Sequence, residues 1–218
     1  MKNSLVVQSP IVSITLKVSN LARLRDYYTQ AIGLVVRFEN VNEVHLGTET
    51  VDLIVLKAAQ GKQQPRQPGL YHVALLLPNQ KALANWLKRY LSLGYQLDGV
   101  ADHSVSEALY LSDPEGNGIE VYCDRPRESW QWRQDEGRAG ELVMTTDPLD
   151  MTALLSLAEQ TPQALSPESC LGHIHLRVND LRAAREFYVD RLGFDLMVDF
   201  SHFGALFVSA GAIIIIWG

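Results

Sequence analysis

Residues 14–35, ITLKVSNLARLRDYYTQAIGLV, align without a gap on residues 174–195, IHLRVNDLRAAREFYVDRLGFD, at a constant offset of 160 positions. Leu16, Val18, Leu21, Tyr28 and Gly33 recur as Leu176, Val178, Leu181, Tyr188 and Gly193. Self-similarity of this kind marks a repeat architecture, in which one supersecondary unit is copied along the chain. Each copy opens with a short alternating strand (13–18 and 173–178). A capping Asn20 or Asp180 follows, then a helix that closes on Gly33 or Gly193. In the first copy three short strands are predicted next, near 35–40, 43–47 and 51–56. The unit is therefore βαβββ and the fold class α+β.

A more divergent copy lies between these two. YHVALLLPNQKALANWLKRYLSLGYQL (71–97) supplies a strand, a helix and Gly94, and ALYLSDPEGNGIEVYCD (108–124) supplies two strands joined by a turn-forming segment. The chain divides into unit 1 (9–57), unit 2 (70–124), a linker (127–171) and unit 3 (172–218). Units 1 and 2 read as a first domain, 9–124, and unit 3 as part of a second. The linker is long for a compact protein, and a helix is predicted near Pro148–Gln160.

With 47% hydrophobic and 20% charged residues the chain has the composition of a soluble globular protein. Its formal net charge of −6 speaks against nucleic acid or an anionic membrane as principal partner. Two cysteines, Cys123 and Cys170, make no disulfide framework, and no apolar run has the length of a signal peptide or a membrane span. A cytoplasmic protein is expected.

Alternation inside the strands separates two faces. Ile174, Leu176 and Val178 point to the helix, whereas His173, His175 and Arg177 point away from it. In unit 2 the second face carries His72, Ala74 and Leu76 on the first strand, and Gly118, Glu120 and Tyr122 on the last. In unit 1 the corresponding first-strand residues are Ser13, Thr15 and Lys17. A sheet with one apolar face and one bearing His, Glu, Tyr and Arg is suited to line a cavity.

The βαβββ repeat, the stretch HIHLRVNDL with FYVDRLGF, and the ending DPEGNGIEVY resemble the vicinal-oxygen-chelate superfamily, which holds glyoxalases, bleomycin-resistance proteins and extradiol dioxygenases. GLYHVALLLP, DHSVSEALYLSDPEGNGIEVYCDRP and GHIHLRVNDL are similar to its catechol-2,3-dioxygenase-like branch. The resemblance implies the glyoxalase/bleomycin resistance/dioxygenase fold, with two units closing a cup around one divalent metal. It implies His72 and His173 as first-strand ligands and Glu120 as the carboxylate ligand, holding Fe(II) or Mn(II) with no organic cofactor. A small aromatic diol, catechol or hydroquinone, and O2 are the implied partners. His103 and His175 are the candidate catalytic groups, Arg177 and Tyr122 the candidate substrate contacts, and Glu107 is placed with His103 near the site. Each has an ordinary reading beside it: a core histidine, a solvated strand glutamate, a rim ion pair. His45 and His202 receive no role, and Trp86 is expected in the core.

Only a pairing of unit 2 with unit 3 brings His72, Glu120 and His173 into one cup. A pairing of unit 1 with unit 2 leaves Ser13 and Leu53 or Asp52 in the remaining positions. Relatives of this branch have four units, and three are expected here. The segment LFVSAGAIIIIWG also departs from the branch, which continues from SAG into Gly-Tyr-His-His-His. A shift of one base in a possible coding sequence restores that pattern, so a frameshift near Gly211 is expected and the DNA tests it. A C-terminally truncated enzyme follows from that expectation, inactive if the closing strand and fourth unit are required, with a homodimer covering exposed surface. Two other functions stay open: a metal-free small-molecule-binding module, and a glyoxalase-type lyase or thiol transferase. The last calls for a fourth ligand, and Leu53 argues against it.

Overall fold

A computed structural model describes residues 11–59, 68–133, 141–209 and 213–217. Residues 210–212, where the frame change is expected, lie outside the described set.

Unit 1 runs β1 (Ile14–Val18), α1 (Leu21–Tyr27, continued by a π-helical turn Tyr28–Ile32), β2 (Val35–Glu39), β3 (Glu43–Gly47) and β4 (Asp52–Ala58). Unit 2 runs β5 (Gly69–Leu76), α2 (Gln80–Ser92), β6 (Gly99–Asp102), β7 (Ser106–Ser112) and β8 (Gly118–Asp124). The linker holds a short hairpin, β9 (Trp132–Arg133) and β10 (Glu141–Leu142), and α3 (Met151–Ser156), within the span predicted for a helix. Unit 3 runs β11 (Cys170–Arg177), α4 (Leu181–Arg185, with a π-helical turn Glu186–Arg191), β12 (Asp195–Phe200), β13 (Ala205–Ser209) and β14 (Ile213–Trp217).

The repeat signature has a local physical basis. Asn20, Asn79 and Asp180 each accept a hydrogen bond from the backbone N–H three residues on, at 2.9–3.0 Å, and so start the three long helices. The helices of units 1 and 3 give way to strand at Gly33 and Gly193, whose φ of 91° and 76° lies where a side chain is disfavoured.

Sheet topology groups the units differently from their order in the chain. Unit 1 forms its own four-stranded sheet, β1-β4-β3-β2. Units 2 and 3 share one eight-stranded sheet, β12-β13-β14-β11-β5-β8-β7-β6, joined where β11 runs antiparallel to β5. The sheet thus crosses the boundary expected between 9–124 and 172–218, because the first strands of units 2 and 3 complete each other's hydrogen bonds.

Unit 1 attaches to unit 2 through its helices. Leu16, Leu24, Ile32 and Ile54 pack in one core with Leu83, Trp86 and Leu87 of α2. Trp86 Nε1 donates to the Ile32 carbonyl at 2.8 Å, and the buried Arg89 guanidinium donates to the Ala31 carbonyl at 2.8 Å. Tyr28 donates to Asp113 Oδ2, in the turn before β8, at 3.0 Å. The linker joins the same core with Leu149, Leu154 and Leu165, and Leu165 N donates to the Gly33 carbonyl at 2.7 Å. Unit 3 has a smaller core of its own around Ala184, Leu206, Val208 and Ile216.

Register corrects one expected position. Ala74 lies opposite Glu120, and by the repeat Thr15 lies opposite Val55, so the unit 1 counterpart of Glu120 is Val55 rather than Leu53 or Asp52. Unit 1 lacks the DPEGNG turn, so its sequence carries no marker of how far β4 slides along β1.

Candidate metal centre

Three adjacent strands at the middle of the large sheet, β11-β5-β8, carry His173, His72 and Glu120. Ala74 is the cross-strand partner of His173 on one side and of Glu120 on the other. Directly opposed residues share a face, so the three functional side chains project over the small Ala74. Ala74, Ala108 and Tyr122 form a separate cluster on this face, with Leu76 and Tyr110 packed on it. Ile119, Val121 and Cys123 occupy the opposite face, in the main core. The alternation read from the sequence is the one the sheet shows.

Glu120 Oε2 lies 2.8 Å from His72 Nε2 and 3.0 Å from His173 Nε2. One ligand atom from each residue falls within 4.8 Å of the others. All three residues are buried, with exposures of 6% (His72), 3% (Glu120) and 7% (His173). His173 Nε2 is aligned for a hydrogen bond to Glu120. His72 Nε2 is as close but is directed too poorly for one, which leaves this buried ring nitrogen without a hydrogen-bond partner among the described residues. Burial by itself pushes the Glu120 carboxyl up, but His173 and His72 together hold it well below the usual carboxylate range. A buried carboxylate and a misaligned imidazole are costly in isolation. A divalent cation between two imidazoles and a carboxylate would relieve both, and the donor chemistry fits such a group.

The other expected site residues fall in different places. His103, half-buried, donates from Nδ1 to the Thr145 carbonyl at 2.7 Å and accepts at Nε2 from the Tyr110 hydroxyl at 2.8 Å. Tyr110 is the cross-strand partner of Glu120, and burial pushes its phenol up. Tyr110 was not among the sequence candidates. The alternation of β7 and the hairpin turn at 113–118 fix that pairing, and counting back from the turn would have found it. His175 lies opposite His72 across the β5–β11 junction, its ring perpendicular to that of His72 at 4.6 Å between centroids. Burial, with His72 and His173 nearby, pushes His175 down to about 3. Arg177 stacks over Tyr71, 4.9 Å from the ring centroid, at the exposed end of the same strands. Tyr122 turns its hydroxyl to His173 Nδ1 at 3.3 Å.

Glu107 does not join His103. It lies on the core side of β7 and accepts from Gln80 Nε2 at 2.9 Å and Arg125 Nη2 at 2.9 Å. Strand parity separates the two: Glu107 alternates with the cup-facing Ala108.

A βαβββ repeat whose first strands pair to set two histidines and a glutamate around one point defines a class, and sequence comparison agrees. The chain belongs to the Glyoxalase/Bleomycin resistance protein/Dioxygenase superfamily, whose pattern matches residues 11–121 and 170–214. Within it the chain falls in the catechol-2,3-dioxygenase-like branch. It is 42% identical over 201 residues to the catechol-2,3-dioxygenase of Bacillus subtilis (strain 168), a match covering 90% of this chain and 69% of that protein. It is 27% identical over 143 residues to biphenyl-2,3-diol 1,2-dioxygenase 3 of Rhodococcus globerulus, covering 61% of this chain and 74% of that one. Glyoxalase I of Zea mays shares the fold, with a TM-score of 0.57 at 16% identity, over 95% of this chain and 66% of that one. No helix among the described residues is long and apolar enough to cross a membrane.

Proposed function

We propose that the protein is an extradiol ring-cleaving dioxygenase that acts on a catechol or hydroquinone, with His72, Glu120 and His173 holding Fe(II) or Mn(II). The observation that carries this reading is the convergence of those three buried donors from two repeats. The metal held by these three residues would bind a diol and O2 and link them electronically. The chain's own groups do the rest. Tyr110 keeps its proton against His103 Nε2 and provides a proton relay on the β7 wall, beside Glu120. His175, uncharged at neutral pH, is too weakly basic to take that role and packs the β5–β11 wall instead. Arg177, held over Tyr71 at the rim, attracts an anionic substrate group.

A glyoxalase-type site calls for a carboxylate from the partner unit as well. Glu120 lies opposite Ala74, and the repeat-equivalent position in unit 3, opposite His175, is Ile215, a residue type with no ligand atom. This supports three protein ligands and the dioxygenase over the lyase.

The test is metal analysis and O2 uptake on protein loaded anaerobically with Fe(II) or Mn(II). One equivalent of metal is expected, with catechol-dependent O2 consumption and a ring-opened product. Glu120→Ala is expected to lose both while keeping the fold. A folded protein that takes up neither metal would point instead to a metal-free binding module.

A further inference from the structure

Tyr122 sits two residues beyond Glu120 on β8, on the same face, and is 6% exposed. Its hydroxyl is 3.3 Å from His173 Nδ1, while the other ring nitrogen of His173 lies 3.0 Å from Glu120 Oε2. The His173 imidazole is therefore held at both nitrogens by two residues of one strand. The residue before it, Gly172, is what admits the phenol. A Cβ at 172 would overlap the Tyr122 hydroxyl and stand 2.7 Å from its Cζ. The repeat does not require glycine there, because units 1 and 2 have Val12 and Tyr71 at that position. Nor does the repeat supply the phenol elsewhere. By register Tyr122 faces Leu76, and the equivalent positions are Lys57 in unit 1 and Trp217 in unit 3.

A neutral imidazole has one N–H and one lone pair, and the partner of one nitrogen sets the state of the other. We infer that Tyr122 is a positioning residue rather than a substrate contact: its hydroxyl holds His173 at Nδ1, which fixes the ring plane and keeps Nε2 directed at the metal position beside Glu120, and Gly172 is the matching half of this device. The inference rests on the metal-centre reading. It explains a glycine–tyrosine pair that neither the repeat nor the core demands.

The test separates the two readings. Mn(II) affinity, by competition with a chelator, is expected to fall about 10- to 100-fold in Tyr122→Phe, with an unchanged melting temperature. A role in substrate contact would leave affinity unchanged and raise KM alone, and that result overturns the inference. Should wild type bind no Mn(II), the metal reading fails and the inference with it, whereas equal affinity in wild type and Tyr122→Phe overturns the role of Tyr122 alone. Should Tyr122→Phe not fold, Gly172→Ala, whose methyl displaces the phenol from His173, decides it: the same fall in affinity is expected, and an unchanged affinity removes the role.

Discussion

Each side chain at the centre owes its state to its neighbours, and pH exposes this. His175 is buried and pushed down to about 3. Between its ordinary value of about 6.5 and that depressed value, the unfolded chain holds a proton that the folded chain does not. Stability therefore rises with pH across this window and is lost on acidification. The depressed Glu120 carboxyl acts in the same direction. Its contribution is present above the ordinary carboxylate value and is lost as pH falls below it. The melting temperature of the metal-free protein is expected to drop steadily from pH 7 to pH 4. In His175→Gln the upper part of that slope should flatten while the lower part remains. A mutant slope parallel to wild type over the whole range would place the acid sensitivity elsewhere. At this scale sequence carried much: His72 and His173 share one position of the repeat, and the DPEGNGIEVY segment that resembles the family singled out Glu120. Glu107 and Tyr110 were misplaced or missed because their roles depend on which face of β7 each occupies.

Among the elements, α2 bears the attachment of unit 1. Trp86 stacks on Tyr90 with centroids 4.8 Å apart and donates to a carbonyl of unit 1. Trp86→Ala removes both a buried ring and that bond, and is expected to cost about 3–5 kcal/mol. Trp86→Phe keeps most of the packing and should cost less, with about 1 kcal/mol from the lost hydrogen bond. Urea denaturation measures both, and equal costs would mean that packing contributes nothing. Helix starts were legible because Asn20, Asn79 and Asp180 cap by purely local chemistry. The offset of β4 along β1 was not, since it is set by pairing between strands far apart in the chain.

In the whole molecule, the donors come from two units joined by one strand pair, β5 with β11. Any cation they hold ties residues 69–124 to residues 170–177. Mn(II) at a hundredfold excess over its Kd is expected to stabilise the fold by about 2.7 kcal/mol. The melting temperature should rise accordingly in wild type and stay put in Glu120→Ala, as calorimetry will show. A rise of equal size in the variant would move the metal to another place. The sequence by itself determined the repeat, the helix caps and the two faces of each strand, and its resemblance to a known family pointed to the candidate donors. All of these are periodic or local properties, written within a few residues. The pairing of unit 2 with unit 3 was expected because it alone unites the three candidate donors, and the shared sheet bears it out; only the tertiary structure decided that Tyr122 reaches His173 past Gly172. Those contacts join residues some fifty positions apart or more. Backbone edges are chemically alike in every copy of the unit, so packing of the whole chain selects which edges meet.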